Sequence, residues 1–166
     1  MDPEERLWVI DPASPRMGGV LQGGAKLVCI DLLTNDVVRV YALGEDVAPR
    51  DSYLNDVRVD VKVKRAFITD SGLGGIVVVD LESGAADRVL SGHVSTIGGK
   101  GMVPVVERKE LRFASGPNKG EAAVIHSDGI ALDAKGGWLY WQALTSKRLF
   151  RAPVAALAMG DDVDAR

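Results

Sequence analysis

Two oxygen-bearing side chains, Asn55 and Asp128, are the residues of this chain whose positions best suit binding chemistry. They occupy the same place in two similar segments, NDVRVD and DGIALD, which lie 73 residues apart. Oxygens of this kind are ligands for a hard cation such as Ca²⁺, which takes about six to eight of them, so two would need further ligands from elsewhere. The alternative is that both residues shape the turns leading into strands, since Asn and Asp hydrogen-bond the nearby backbone.

Three further polar residues are candidates, and each has two interpretations. Asp56 is either a second ligand-facing carboxylate or a turn residue, because the second copy has Gly129 in its place. Asp70 ends a strand-like segment and either accepts hydrogen bonds from loop amides or faces a ligand. His126 stands two residues before Asp128, and strand alternation predicts that both side chains lie on one side. It is therefore either a general base for a bound ligand or a histidine satisfied by its surroundings.

The remaining reactive residues exclude several classes of function. Cys29 is the only cysteine, which rules out an internal disulfide framework and a cysteine zinc cluster. Its place inside an apolar segment indicates a buried thiol, and no Gly-x-Ser-x-Gly nucleophile motif occurs. The two histidines, His93 and His126, lack metal-type spacing. With a net charge of −3 and scattered Lys and Arg residues, the chain has no nucleic-acid footprint.

Composition is that of a globular protein without a membrane span. The 166 residues are 46% hydrophobic and 26% charged, and no apolar run approaches the ~18 residues of a membrane helix. The opening MDPEERLWVID is acidic and has no apolar h-region, so it does not predict a signal peptide. A small molecule or another protein is therefore the expected partner.

The segments that must position these residues are short, rich in β-branched residues and separated by turn residues, which predicts an all-β fold. Val57–Val63 alternates valine with polar residues, as a half-buried strand does. A hairpin is predicted at Val103–Glu107 and Glu110–Ala114, and the only helix at Val154–Met159. The other strand-like segments are Leu7–Ile10, Leu27–Leu32, Val37–Leu43, Ala66–Thr69, Ile76–Leu81 and Ala86–Leu90.

Internal repetition sharpens this prediction. At an offset of 73, Asn55–Asp60 falls on Asp128–Asp133, and the two following strand-like segments keep the same register. An earlier copy is offset by 59 in one strand and by 49 in the next, because the loop Pro12–Lys26 is longer. Each copy has the pattern of three or four antiparallel strands joined by tight turns, which is typical of a propeller blade.

The copies predict one partial propeller domain over residues 1–166, with about two and a half to three blades of antiparallel strands, whereas propellers close with roughly four to eight. The first copy lacks an innermost strand before Leu7, and the third has no convincing strand after Arg151. The predicted divisions are a first-blade remnant at 7–43, a second blade at 54–90, an insert at 91–123, a third blade at 127–153 and a tail at 154–166. Open sheet edges of this kind predict self-association.

The aligned segments resemble the Yellow / major royal jelly protein family in its bacterial form. The resemblance rests above all on LNDVRVD together with ITDSGLGGIVVVDL, and it runs from about Leu7 to Pro153. It implies a six-bladed propeller with a ligand in its central channel. The chain would then be the middle portion of a longer protein that is secreted or periplasmic. For some animal members the resemblance implies binding of biogenic amines, and for others a dopachrome-type rearrangement.

Three functions are compatible with these patterns. The first is binding of a small molecule in the channel. The second is a gluconolactonase-like lactone hydrolase, since related propellers are similar in placing Asn and Asp calcium ligands at blade openings. Asn55 and Asp128 would then hold Ca²⁺, which polarises the ester carbonyl and orients a water. The third is a propeller fragment without a function of its own.

Overall fold

The computed structural model describes residues 1–99, 101–114, 118–133, 135 and 137–157. Over these residues the protein is almost entirely β, with twelve strands in four antiparallel sheets, which confirms the all-β prediction. The helical elements there are one 3₁₀ turn, Pro15–Met17, and one α-helical turn, α1, Val154–Leu157. No helix in this described part of the chain is long and apolar enough to cross a membrane.

Three larger sheets follow one another along the chain, and they are called the first, second and third sheet. The first sheet contains β1 (Arg6–Asp11), β2 (Lys26–Asp31) and β3 (Val37–Ala42), in that order. The second contains β4 (Leu54–Asp60), β5 (Arg65–Asp70), β6 (Ile76–Asp80) and β7 (Ala86–Val89). Between the second and third sheets in sequence comes a short hairpin of β8 (Val105–Val106) and β9 (Lys109–Glu110). The third sheet contains β10 (Ser127–Leu132), β11 (Trp138–Ala143) and β12 (Phe150–Pro153).

The second and third sheets pair their first two strands in the same register. Val57 lies opposite Ile68 in the second sheet, and Ile130 lies opposite Trp141 in the third, at the 73-residue offset of the sequence repeat. In both sheets the register shifts at the start of the first strand, as it does at a β-bulge. The shifts lie between Leu54 and Val57 and between Ser127 and Gly129. The repeat therefore preserves an irregularity as well as the regular pairing.

The strand β5 is buried on both faces because the second sheet lies between the other two. Ala66 and Ile68 belong to an apolar cluster with side chains of the first sheet, whereas Phe67 belongs to a cluster with side chains of the third. All three residues are fully buried. Burial of an Ile or Phe side chain contributes roughly 1.5–3 kcal/mol, so these two clusters hold the three sheets together.

The insert and the C-terminal segment differ in extent from their predictions. The hairpin is shorter than predicted because Glu107 and Arg108 adopt positive φ values of 50° and 65° and reverse the chain early. The helix ends at Leu157, the last described residue. The remainder of the predicted helix and of the tail, residues 158–166, lies outside the described residues.

Connections differ in length between the two ends of the sheets. At the turn end, tight turns such as 32–36, 61–64 and 81–85 join the strands, and longer connections such as 12–25, 43–53 and 90–126 lie at the opposite, loop end. The turn-end carboxylates of Asp31, Asp60 and Asp80 accept hydrogen bonds from backbone amides two residues on, as Asp does when it shapes a turn. Long loops on a rigid scaffold are where binding residues concentrate, so the loop end is where a functional site is expected.

Candidate functional site

The equivalent bulges place Asn55, Asp56 and Asp128 at the loop end of neighbouring sheets. All three side chains are half-buried. Among the described residues, the Asn55 side chain has no hydrogen-bond partner. A bulge turns a side chain away from strict alternation, and bulges are common beside binding sites. Asn55 and Asp128 are thus held at corresponding positions by the backbone irregularity that both inner strands share.

Buried hydroxyl groups join the second and third sheets beneath these bulges; we call Thr69, Ser71 and Ser127 the polar junction. Thr69 Oγ1 donates to the carbonyl oxygen of Asp128 at 2.8 Å and accepts from the amide of Asp56 at 3.3 Å. Ser71 Oγ lies 3.0 Å from the Ser127 carbonyl oxygen and 3.2 Å from Asp128 Oδ2. All three junction residues are at most 5% exposed. The polar junction therefore fixes one bulge relative to the other.

Asp70 is buried beside the polar junction. Its carboxylate accepts hydrogen bonds from loop amides, which was one of the two roles considered for it from the sequence. Its Oδ1 accepts from the amides of Tyr53 and Gly72 at 2.9 and 2.8 Å, and its Oδ2 accepts from Ser52 Oγ at 2.6 Å. The guanidinium of Arg88 lies 2.7 Å from Oδ2. Burial by itself raises the pKa of Asp70, but the hydrogen bonds and Arg88 outweigh it, so the pKa is lowered. All of these donors belong to the chain, which suits a structural carboxylate.

Asp56 forms a local ion pair at the bulge of the second sheet. Its Oδ1 accepts from Arg58 Nη1 at 2.8 Å and from the amide of Val57 at 2.8 Å. Both charged side chains are about two-fifths exposed, at 42% and 41%, and such pairs contribute roughly 0–1 kcal/mol. The carboxylate is therefore engaged locally and is less available to a ligand than Asn55.

His126 lies before β10 and not within it, so the strand alternation used to relate it to Asp128 does not apply. The strand begins at Ser127, and the bulge follows at once. The amide of Gly98 donates to His126 Nδ1 at 2.9 Å. A neutral ring accepting at Nδ1 carries its proton on Nε2. The nitrogen that a general base would use is thereby occupied by the backbone.

The close approach of Gly98 explains this contact. A Cβ atom at Gly98 would stand 2.3 Å from Thr145 Oγ1 and 3.0 Å from the Ile125 carbonyl oxygen, so only glycine fits there. Burial lowers the pKa of His126, and the charge of Asp70 opposes that effect in part.

We expect His126 to titrate below the ordinary histidine pKa of about 6.5. Because the unfolded chain then binds the proton more readily, the stabilising contribution is fully present above the unfolded-state pKa. It is lost as the pH falls towards the lower folded-state pKa. NMR of the imidazole nitrogens, together with urea melts over this pH range, measures both effects. Replacement His126→Asn should remove this part of the pH dependence, and an imidazole protonated at Nδ1 at neutral pH would contradict the assignment.

Cys29 is 2% exposed, as expected for a buried thiol, and burial raises its pKa. Within the described residues, no group of three or more His, Cys, Asp or Glu side chains is arranged to hold a metal ion. Any cation at Asn55 and Asp128 would thus draw on other oxygens, from main-chain carbonyls, water or the ligand.

A cleft of about 490 Å³ opens at the loop end, between the loop of the first sheet at Met17–Gly19 and the segment that leads into β4. Its walls include Arg50, Ser52 and Tyr53, which immediately precede the bulge at Asn55, and Gly72. The sequence patterns did not single out Arg50, Tyr53, Thr69 or Ser71. The run Thr-Asp-Ser at positions 69–71 was the available signal, because three polar residues at a strand end need partners when they are buried.

Successive antiparallel sheets packed face to face, with equivalent inner-strand bulges at one end, define this protein as part of a β-propeller whose ring is not closed by the described residues. The sequence model of the family described as major royal jelly protein matches residues 1–165. The chain therefore belongs to the major royal jelly protein family. A comparison with curated proteins found no match.

Proposed function

We propose that this chain supplies part of the wall of a small-molecule binding site at the loop end of a propeller, with Asn55 and Asp128 as its polar contacts. The observation that carries the proposal is the pair of equivalent bulges, which bring an amide and a carboxylate to the same end of adjacent sheets. The polar junction beneath them gives a fixed geometry, as recognition requires. Asp56 and Asp70 are less suited as principal contacts because each is paired with an arginine of the chain, whereas the Asp128 carboxylate is contacted by the neutral Ser71 hydroxyl.

The chemistry of these groups indicates the class of ligand. A carboxylate accepts hydrogen bonds from ammonium and hydroxyl groups, and a side-chain amide both donates and accepts. A cleft of about 490 Å³ at the same end of the sheets is lined by Tyr53 and Gly72 and not by Asn55 or Asp128. Its volume falls within the roughly 300–1,000 Å³ of small-molecule sites. An aromatic amine, the class of ligand that the resemblance implies for some animal members of the family, has the donors that this arrangement suits.

Calcium-dependent lactone hydrolysis is the alternative, and it rests on the same two oxygens. Asn55 and Asp128 would supply two of the about six to eight oxygen ligands that calcium takes. Hydrolysis also needs a group that activates water, and His126 has its acceptor nitrogen engaged by Gly98. Binding is for this reason the function that the geometry supports better.

Tyramine and calcium, used as separate probes, test the proposal. We expect wild-type protein to bind tyramine and the double variant Asn55→Ala, Asp128→Ala to bind it at least ~10-fold more weakly. A hydrogen bond to a charged group contributes roughly 1.5–3 kcal/mol, and 1.4 kcal/mol is a factor of ten. Isothermal titration calorimetry measures both affinities.

The control is the variant Asn118→Ala, Asp87→Ala, which removes the same two residue types from exposed positions. Equal tyramine affinity in the two double variants would contradict the proposal. Glucono-δ-lactone hydrolysis that requires calcium and fails in the Asn55, Asp128 variant would favour the hydrolase. A chain that binds neither probe would leave these residues as turn formers, as expected of a propeller fragment without function.

A further inference from the structure

One face of the first sheet is apolar and uncovered in the described part of the chain. Two rows of side chains cross its three strands, since the residues in each row lie directly opposite one another in the pairing. The rows are Val9–Val28–Val40 and Leu7–Ile30–Val37. Val40 and Val37 are 53% and 58% exposed, and Val9 and Leu7 are 39% and 37% exposed. We call these six residues the head face.

The opposite face of the first sheet is covered by the second sheet. This interface between sheets occurs again between the second and third sheets. Leu27 and its neighbours pack there on Ala66, Ile68, Val77 and Val79 of the second sheet. The other face of the second sheet presents Phe67, Ile76 and Val78 to Leu139 and Trp141 of the third sheet. At the repeat offset, Leu139 and Trp141 correspond to Ala66 and Ile68. The same pair of surfaces therefore meets twice within one chain.

The head face corresponds to the face of the second sheet that packs on the first, and to the face of the third sheet that packs on the second. Its members Leu7 and Val9 correspond to Ala66 and Ile68 at the offset of 59, and Val28 and Ile30 correspond to Val77 and Val79 at the offset of 49. Each is aliphatic, as its counterpart is. The sheet that would receive this face is absent from the described chain.

Among the described residues, one face of the third sheet is uncovered, and it corresponds to the face of the second sheet that packs on the third. Tyr140, Leu149 and Arg151 stand where Phe67, Ile76 and Val78 stand in the second sheet; with Trp138 they form what we call the tail face. Arg151 is the one charged replacement. Its guanidinium lies 4.3 Å from the centroid of the Trp138 ring. Its aliphatic stem can cover apolar surface while the charge stays at the rim.

We propose that two copies of this chain associate head to tail, each head face packing on the tail face of the other, to form one closed ring. The contact would repeat the interface that the chain makes twice internally, and it uses sheet faces instead of the sheet edges considered from the sequence. Head-to-tail contacts give rings when the rotation closes. Two copies of three sheets give six, within the roughly four to eight blades of a propeller, whereas three copies would exceed that range.

Analytical ultracentrifugation of the 166-residue chain tests this. We expect a species of twice the chain mass whose dissociation constant rises by roughly 30-fold or more in the head variant Val40→Lys and in the tail variant Leu149→Lys, because each places a charge in the buried centre of a contact. The control is Val106→Lys, which alters a valine of similar exposure, 57%, on the hairpin. Circular dichroism checks that each variant keeps its β structure.

Mixing the two variants separates head-to-tail association from other arrangements. A mixed dimer contains one contact with both original faces and one with both lysines, whereas a dimer of either variant alone has a lysine in each contact. Because one lysine is expected to disrupt a contact, the mixture keeps one intact contact and should associate more strongly than either variant alone. A monomer at high concentration would overturn the proposal and leave the head face to another sheet of a longer polypeptide. A tail variant that dimerises like the wild type, or a ladder of species that grows with concentration, would also overturn it.

Discussion

Replacement of Asp70 by asparagine should lower the free energy of unfolding by roughly 3–5 kcal/mol, the loss expected when one partner of a buried ion pair is removed. Asp70 is fully buried and the Arg88 side chain is 10% exposed, so the guanidinium would keep its charge without a counterion. Domains of this size are stable by only about 5–15 kcal/mol. Urea melts at one fixed protein concentration measure the loss.

The same carboxylate predicts an acid-sensitive stability. Since the pKa of Asp70 is lowered in the folded protein, its stabilising contribution is present above the unfolded-state pKa of about 3.9 and is lost as the pH falls through the folded-state value. The variant Asp70→Asn should flatten this part of the pH profile. An unchanged profile would show that the ion pair does not stabilise the fold.

Asp80→Asn is the matched control for this variant. Asp80 also accepts turn amides and also pairs with an arginine, Arg65, but the two side chains are 26% and 24% exposed. A partly exposed pair contributes roughly 0–1 kcal/mol, and asparagine can still accept the turn amides. The difference between the two variants therefore reports on burial.

Replacement of Trp141 by alanine is expected to destabilise the protein by roughly 3–5 kcal/mol, because it empties the interface between the second and third sheets. Trp141 is 2% exposed and is the largest fully buried side chain of that cluster. Its indole N–H donates to the carbonyl oxygen of Ser95 at 3.1 Å, which ties the insert to the third sheet. Trp141→Phe keeps most of the volume and should cost less.

Chemical denaturation of the three proteins, with Leu33→Ala as the control, tests this ranking. Leu33 is 76% exposed in a turn, and surface changes of this kind usually stay within about 0.5 kcal/mol. Losses of equal size for Trp141→Ala and Leu33→Ala would mean that the sheet interface contributes little to stability.

Much of the fold could be predicted because its signals are local. Strand alternation and turn residues act over a few positions, so the offset of 73 between Asn55 and Asp128 was visible in the sequence and reappears in the strand pairing. The hairpin was predicted with the wrong extent, because the positive φ values of Glu107 and Arg108 do not follow from a hydrophobic pattern.

The candidate site was predictable only as a set of residues. Nothing in the local pattern relates Thr69 to Asp128 or Asp70 to Arg88, since these partners are far apart in the chain and meet only when strands and sheets pack. Strand alternation could not relate His126 to Asp128, because the strand begins one residue after His126 and bulges at once.

The sequence by itself determined the all-β class, the repeated blade pattern and the family, because each follows from residue types at short, regular spacings. Only the tertiary structure decided which polar side chains are hydrogen-bonded within the chain. It enclosed Asp70 among chain donors, turned His126 Nδ1 towards Gly98 and left Asn55 without a partner among the described residues. These outcomes depend on distances between segments remote in sequence, and a buried polar group must find its partner wherever the packing brings one within hydrogen-bond reach.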